Sequence, residues 1–293
     1  MQIHLVDATY ELFRAHYSPR PPVRAPDGRD VGAVTGLIYT LLSLLRDEGA
    51  THVGCATDHV IRSFRNGLYD GYKTEAGVPA ELLGQFPLAE RAMEALGVAV
   101  WPMVEFEADD ALATAAARWG DRPEVERIWV CTPDKDLAQC VRGERVVMRD
   151  RRRERTIDEA GVRERWGVAP ESIPDYLALV GDSADGFPGL PGWGARSAAA
   201  VLARFEHLEA IPASVGEWHV DVRSAPGLNA TLRARWDEAL LYRRLATLRL
   251  DVPLPQADPD ELRWNGARRG PFLALCEELG ARALAARPHL WQE

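Results

Sequence analysis

Nine carboxylates stand where apolar segments end or helical patterns begin, which are places where side chains from separate segments can meet. Asp7 and Asp58 each end a short apolar run typical of a strand, and Asp134 and Asp136 follow another. The other five are Glu107, Asp109, Asp110, Asp182 and Asp185. Carboxylates gathered in this way repel each other strongly unless cations lie between them. Oxygen ligands without His or Cys favour Mg²⁺ or Mn²⁺ over zinc.

Each of these acids also has a purely structural explanation. Acids in the first turn of a helix interact favourably with its dipole, so the segment 107–110 could simply cap a helix. Asp134 could also be a helix cap, and an Asp at the end of a strand is common in turns. Glu107 and Asp110 are three residues apart, which places them on one face of the predicted helix 107–119. We expect all nine acids to converge on a metal site, because each lies near a predicted strand end or helix start on the side where a ligand would bind.

Lysine is rare in this chain. Lys73 and Lys135 are the only two lysines, and the other 33 basic residues are arginines. A retained lysine can mark a place that needs a compact, titratable ammonium, and chance retention is the alternative for either residue. The densest charge cluster is the run Arg151–Arg155, for which we favour a solvated turn between strands.

The elements that must position the acids alternate in the first half of the chain. Strand patterns occupy 3–7, 52–58, 98–101, 127–131 and 145–148, and helical patterns occupy 32–48, 88–96 and 107–119. This alternation predicts an α/β domain, with a parallel sheet covered by helices on both faces. After about residue 170 only helical patterns follow, at 172–180, 196–205, 229–245 and 271–286. We therefore predict an α/β domain over 1–168 and a smaller all-helical domain over 169–293.

A Gly-rich turn connects two of the later helices. Gly189, Gly192 and Gly194 free the backbone for a tight hairpin between them. Exposed amides there, together with the start of the following helix, can hold a phosphate and so bind DNA by its backbone. An ordinary helix hairpin is the alternative, and the preceding pair Asp182 and Asp185 strengthens the functional interpretation.

Composition excludes several classes of protein. Apolar residues make up 46% of the 293 residues, which excludes a disordered chain. No apolar stretch is long enough for a membrane helix, and the N-terminus has no pattern of an export signal. Four scattered cysteines without a CxxC pair indicate a reducing cytoplasm. The net charge of −9 argues against a nucleic-acid partner unless cations neutralise some of the acids.

Taken in order, these segments resemble the flap endonuclease family, and most closely the 5′-nuclease domain of bacterial DNA polymerase I. The matching motifs are Leu5-Val6-Asp7, Asp58 with Ser63-Phe64-Arg65, Tyr72-Lys73, Glu107-Ala108-Asp109-Asp110, Thr132-Pro133-Asp134-Lys135-Asp136-Leu137, the stretch 181–198, and Leu245–Leu248 with Asp251–Leu254. The resemblance covers nearly the whole chain. It implies a PIN-like sheet, an arch segment at about 70–90 and a helix-hairpin-helix at about 172–205.

The resemblance also implies roles for individual residues. Asp7, Asp58, Glu107, Asp109 and Asp110 match the family's first metal group, and Asp134, Asp136, Asp182 and Asp185 match the second. Lys73 matches a lysine that contacts the scissile phosphate, and Arg65 matches a nearby phosphate-contacting arginine. The DNA-binding hairpin corresponds to Gly189, Leu190, Pro191, Gly192, Trp193, Gly194, Arg196 and Ser197. Two Mg²⁺ or Mn²⁺ ions are the implied cofactors, with a monovalent cation at the hairpin.

Two positions depart from the family pattern. Thr74–Gly77 lacks the usual basic residue of the arch, and Gly186 stands where the family usually has Asn. The expected activity is 5′-3′ exonuclease and 5′-flap endonuclease, in a monomeric, cytoplasmic and nucleoid-associated protein. Its expected partners are DNA with 5′ flaps, nicks or 5′ ends and a DNA polymerase supplied in trans, because no residues remain for a polymerase domain. The alternatives are a PIN-type ribonuclease and a non-catalytic protein that binds DNA structures.

Overall fold

The computed structural model describes residues 1–19 and 21–292. The chain forms two compact units that interleave along the sequence. The first comprises Met1–Ile61, Glu75–Thr132 and Leu250–Glu293, and the second comprises Arg62–Thr74 and Pro133–Arg249. These units are not continuous in sequence, so they differ from the expected division of the chain after residue 168. That domain boundary stays a prediction.

The helices and strands are numbered in chain order. The strands are β1 (Gln2–Asp7), β2 (His52–Asp58), β3 (Ala99–Met103), β4 (Arg127–Cys131), β5 (Val146–Asp150), β6 (Arg155–Ile157), β7 (Ala267–Arg268) and β8 (Trp291–Gln292). The α-helices are α1 (Ala8–His16), α2 (Gly32–Arg46), α3 (Ala80–Leu83), α4 (Phe86–Leu96), α5 (Ala108–Trp119), α6 (Glu159–Trp166), α7 (Ile173–Val180), α8 (Ala195–Phe205), α9 (Ala225–Ala234), α10 (Trp236–Ala246) and α11 (Arg269–Glu278).

Parallel strands form the sheet of the first unit, in the order β3-β2-β1-β4. Every residue of β2 is buried, as expected for a parallel strand that helices cover on both faces. Helices α1, α4 and α5 pack against these strands, so the predicted α/β architecture is confirmed. The carboxyl ends of parallel strands share one edge, and Asp7 and Asp58 end the neighbouring strands β1 and β2. The sheet thus places both acids at its ligand-binding edge.

The C-terminal residues complete the core of the first unit. Trp264 donates a hydrogen bond from Nε1 to the carbonyl of Leu96, and Phe272 and Leu275 lie in the same apolar cluster as α2 and α4. Strands β7 and β8 pair in parallel beside them. The prediction of an all-helical C-terminal part was wrong for these two strands, because two-residue strands leave no periodic pattern in the sequence.

The second unit contains the antiparallel pair β5–β6 and helices α6 to α10. The Arg-rich run does form a turn between two strands, as predicted. The predicted helix 229–245 is instead two helices, because Arg235 leaves the helical conformation at φ −119° and ψ 34°. The predicted helix 271–286 ends at Glu278, shortly before Gly280 with its φ of +66°. Helices α7 and α8 flank the Gly-rich turn, which confirms the predicted helical hairpin.

Within the described residues, no helix is both long and apolar enough to cross a membrane.

Substitution of two leucines tests whether the C-terminal residues stabilise the core of the first unit. Leu275 is 4% exposed and Leu290 is 45% exposed, so Leu275→Ala leaves a cavity whereas Leu290→Ala does not. We expect Leu275→Ala to lower the free energy of unfolding by about 2–5 kcal/mol, and Leu290→Ala to change it by less than about 0.5 kcal/mol. Urea denaturation measures both values. Equal small effects would show that residues 264–279 do not stabilise the core.

Candidate functional site

Three carboxylates of the second unit meet in one buried cluster. Asp136, Asp182 and Asp185 each offer an oxygen within 4.8 Å of the other two. All three side chains are buried, at 6%, 4% and 8% exposure. Asp136 lies at the start of a short 3₁₀ turn, and the other two lie in the loop after α7. These acids come from the two motifs that the resemblance assigned to the second metal group.

Asp136 is the most strongly perturbed member of this cluster. Burial raises its pKa well above the ordinary aspartate value, and the negative charges of Asp134, Asp185 and Asp182 raise it further. Its Oδ1 atom is buried and finds no hydrogen-bond partner among the described residues. A buried, unsatisfied carboxylate oxygen beside two further carboxylates fits a hard divalent cation, for which such oxygens are the preferred ligands. Asp134, the fourth predicted acid of this group, is exposed and accepts a hydrogen bond from the Asp136 amide.

Both lysines of the chain pair with this cluster. Lys73 Nζ lies 3.0 Å from Asp185 Oδ1, and Tyr72 donates its hydroxyl to the other oxygen of the same carboxylate. Lys135 Nζ pairs with Asp182 Oδ2. Burial alone would lower the pKa of Lys135, but the hydrogen bond to Asp182 and the charge of Asp136 outweigh it and raise the pKa. Both ammonium groups therefore counter the repulsion among the acids.

Gly186 explains how the loop after α7 reaches the segment that carries Lys73. Its φ is +88°, and a Cβ atom there would lie 2.2 Å from the carbonyl oxygen of Gly71. Next to it, the amide of Lys73 donates to the carbonyl of Asp185 over 2.9 Å. The departure from the family's Asn therefore lets two backbones touch beside Lys73. Sequence reasoning noticed the departure but had no means of predicting this contact.

In the first unit, backbone amides rather than lysines stabilise the acids. Asp7 caps α1 by accepting from the amide of Tyr10, and its other oxygen accepts from the hydroxyl of Thr132. Asp58 Oδ1 accepts from the amide of Ala108, the first residue of α5. Both carboxylates are buried and use the donors that the start of a helix leaves unpaired.

Glu107 and Asp110 differ from the sequence-based expectation. Glu107 precedes α5 as its N-cap rather than lying within the helix, and it forms a capping box with Asp110. Asp110 is fully buried and accepts from the amide of Glu107 over 3.0 Å, so it has the capping role that the simpler explanation predicted. Asp109 is half-buried in the same turn. Sequence reasoning missed Thr132, and also Thr9, whose hydroxyl accepts from the amide of Asp58.

Arg65 is buried and holds the end of a helix. Its side chain is 1% exposed. Nε donates to the carbonyl of Leu245 over 2.8 Å, and one Nη donates to the carbonyl of Thr247. This placement assigns Arg65 to holding the end of α10. The resemblance alone suggested a phosphate contact, because burial is not visible in a short motif.

The hairpin between α7 and α8 divides into buried and exposed residues. Gly189, Leu190 and Trp193 are buried, and Trp193 donates to the carbonyl of Leu228. The exposed residues are Pro191, Gly192, Gly194 and Arg196, and Ser197 is half-buried. A depression of about 590 Å³ adjoins them and is also lined by Asp221–Ser224. Of the eight predicted DNA-binding residues, the buried three can only shape the hairpin, whereas the others can reach a ligand.

The raised pKa of Asp136 has a measurable consequence. Because this pKa is higher in the folded than in the unfolded chain, folding stability is lost as the pH rises from the ordinary aspartate range through the raised value. Asp136→Asn removes the charge, so it should raise the melting temperature in EDTA at pH 8, and raise it less at pH 5. Each kcal/mol corresponds to about 2–4 °C in domains of this size. The exposed Glu164→Gln is the control, and a gain that does not depend on pH would contradict this account.

Comparison with known proteins agrees with the motifs. A family model described as 5′-3′ exonuclease, N-terminal resolvase-like domain, matches residues 2–167, and one described as 5′-3′ exonuclease, C-terminal SAM fold, matches residues 168–269. DNA polymerase I of Rhizobium leguminosarum is 36% identical over 260 residues, covering 86% of this chain and 25% of that protein. DNA polymerase I of Mycobacterium leprae (strain TN) is 34% identical over 289 residues, covering 97% and 31%. The chain spans about a quarter to a third of the length of these relatives.

Solved structures share the fold. A T5 5′-exonuclease with divalent metal ions (zinc) bound has a TM-score of 0.66 at 17% identity, covering 84% of this chain and 89% of that one. Flap endonuclease-1 from Methanococcus jannaschii has a TM-score of 0.59 at 14% identity, covering 98% and 90%. The family matches confirm the resemblance that the motifs suggested, and the chain belongs to the 5′-3′ exonuclease family.

Proposed function

We propose that this chain is a divalent-metal-dependent 5′-3′ exonuclease and 5′-flap endonuclease that hydrolyses DNA phosphodiester bonds. The strongest support is the buried cluster of Asp136, Asp182 and Asp185 in a chain of this family. Two of its carboxylates each pair with a different lysine. Bound Mg²⁺ or Mn²⁺ supplies activation of the attacking water and neutralisation of the leaving oxygen.

We assign the acids to two groups of metal ligands. Each group belongs to one unit and is positioned by its own loops and helix starts. The first group is Asp7, Asp58, Glu107, Asp109 and Asp110, and the second is Asp134, Asp136, Asp182 and Asp185. The oxygen-only donor set and the unsatisfied Oδ1 of Asp136 support Mg²⁺ or Mn²⁺ as the ion.

Lys73 is the proposed phosphate contact. Its ammonium is 3.0 Å from Asp185, so it lies beside the proposed metal ligands, and the hydrogen bond from the Lys73 amide to the carbonyl of Asp185 fixes its backbone. A preorganised positive charge beside the scissile phosphate stabilises the negative charge that grows there during hydrolysis. Arg65 is less well placed for this step, because Nε and one Nη donate to backbone carbonyls, and its predicted phosphate contact stays a prediction.

The exposed part of the hairpin is the proposed duplex contact. Arg196 and the amides at the start of α8 can hold a phosphate of the DNA backbone without reading its sequence. A monovalent cation at this hairpin, a DNA polymerase acting in trans, a monomeric state and a cytoplasmic, nucleoid-associated location stay predictions. The missing basic residue at Thr74–Gly77 predicts a weaker hold on flaps.

A cleavage assay on matched substrates tests the activity. We expect the wild-type chain to cut a 5′-flap and a nicked duplex in Mg²⁺, and to cut neither in EDTA. Asp109→Ala should lose cleavage at least about 100-fold while it still binds the flap. Asp109 is a better choice than Asp110 for this test. Asp110 also accepts a hydrogen bond from the amide of Glu107, so its loss would disturb the helix start as well. Preferential cleavage of single-stranded RNA would favour a PIN-type ribonuclease, and binding without cleavage would favour a non-catalytic protein.

The proposed role of Lys73 predicts a loss of rate rather than of affinity. Lys73→Ala should lower the single-turnover cleavage rate on the order of 100-fold, with little change in flap affinity because many phosphate contacts remain. Lys73→Arg should restore only part of the rate, since a planar guanidinium does not replace a compact ammonium. Quench-flow kinetics and a binding titration separate the two quantities. Full activity of Lys73→Ala would remove Lys73 from the mechanism.

The hairpin is tested best at Gly194. Its φ of −147° suits any residue, and a Cβ atom there meets nothing within 4 Å, so Gly194→Leu should fold normally. We expect this variant to bind duplex DNA at least about tenfold more weakly while a short single-stranded substrate is still cut. Gly227→Leu, another open position of the same unit, is the control for bulk alone. Equal losses on both substrates would show that the hairpin does not bind the duplex.

A further inference from the structure

Lys135 has no role in the proposed mechanism, yet its ammonium lies at the acid cluster. It pairs with Asp182 Oδ2, on a carboxylate that is 4% exposed. The Lys135 side chain is itself 35% exposed, so the ammonium can leave this partner and enter solvent. Asp182 Oδ1 accepts from the amide of Ala184, which leaves Oδ2 as the oxygen that the ammonium holds.

The charges of this cluster are only partly balanced. Three buried carboxylates face two ammonium groups, Lys135 on Asp182 and Lys73 on Asp185. The third carboxylate, Asp136, is about nine-tenths buried and has an Oδ1 atom without a hydrogen-bond partner in the part of the chain that the structure describes. Because Asp182 Oδ1 already accepts from the amide of Ala184, Oδ2 is the oxygen of Asp182 that a divalent cation would share with Lys135, and a cation at that distance also repels the ammonium.

We propose that Lys135 is a built-in counter-ion for Asp182, which stabilises the cluster when no divalent cation is bound and competes with that cation for Asp182 Oδ2. Lys135 is thus a positioning residue that sets the metal affinity of the site. The inference rests on the metal site of the proposed function and adds a regulator of its occupancy.

The choice of lysine fits this role. The chain uses arginine at 33 of its 35 basic positions, yet both of its two lysines touch the cluster. An ammonium is a compact, strongly hydrated charge on a flexible stem, so it is released into water readily. A guanidinium would hold both carboxylate oxygens with a planar fork and would be more difficult to displace.

Metal binding without DNA tests the proposal. Mn²⁺ binding to the full chain is measured by calorimetry and by the electron paramagnetic resonance signal of free Mn²⁺. We expect Lys135→Met to bind Mn²⁺ at least about fivefold more tightly, roughly the effect of removing one unit charge a few ångströms away at a solvent-like dielectric. Lys135→Arg should bind it more weakly than the wild type. Arg163→Met removes a charge from an exposed surface pair of the same unit and should leave the affinity unchanged.

Stability gives a second readout. In EDTA, Lys135→Met should melt at a lower temperature than the wild type, because the acids have lost a counter-ion. Saturating Mn²⁺ should close that gap, since the cation then neutralises the same acids. In an Asp182→Asn background, Lys135→Met should change both the affinity and the melting temperature by less than it does in the wild type, because the direct pair no longer exists and only the charge interaction of Lys135 with Asp136 and Asp134 remains. Lys135→Gln is the second variant if Lys135→Met does not fold, and circular dichroism establishes folding.

The outcomes distinguish this proposal from the proposed function. Unchanged or weaker Mn²⁺ binding in a folded Lys135→Met or Lys135→Gln variant would overturn the counter-ion role, even if the wild type cuts DNA. Tighter binding in a chain that cuts no nucleic acid would support the counter-ion role and overturn the nuclease. An equal gain in Mn²⁺ affinity from Arg163→Met would also overturn the counter-ion role, because the effect would then come from net charge alone.

Discussion

Repulsion among buried carboxylates is the constraint on which the rest of the site depends. Asp136, Asp182 and Asp185 lie within 4.8 Å of each other and are almost out of water, where like charges interact strongly. Burial and, after it, the repulsion by Asp134, Asp185 and Asp182 raise the pKa of Asp136. An arrangement of this kind costs folding stability, so its presence in the core of a unit indicates that the acids serve a ligand rather than the fold.

The two units neutralise their acids in different ways. In the first unit, Asp7 and Asp58 accept from backbone amides at the starts of α1 and α5, and these donors are fixed by the helices. In the second unit, the ammonium groups of Lys73 and Lys135 form ion pairs with Asp185 and Asp182, and these ammonium groups stand at the ends of flexible side chains. Fixed amides orient a carboxylate permanently, whereas an ammonium can give way to a cation or move to a phosphate. The proposed counter-ion role of Lys135 therefore belongs to the second group.

Binding DNA with a net charge of −9 requires the negative charge to be neutralised locally or kept away from the contact surface. Here many acids are buried at the cluster or paired at the surface. The exposed face of the hairpin offers Arg196 and backbone amides, and the loop after α7 brings Lys73 beside the acids through the close contact of Gly186 with Gly71. Backbone contacts of this kind hold a phosphate chain regardless of base sequence, which suits the proposed action on DNA ends and flaps.

The sequence by itself determined the strands β1, β2 and β4, the helical hairpin and the identity of the acids, because alternation, glycine spacing and strand-end carboxylates are local patterns. Only the tertiary structure decided which donor each carboxylate receives, the burial of Arg65 under the end of α10 and the pairing of Lys135 with Asp182. It also decided that Trp264 and Leu275 complete the core of the first unit. These contacts join residues far apart in the chain, and their energy depends on burial and geometry that no short motif contains.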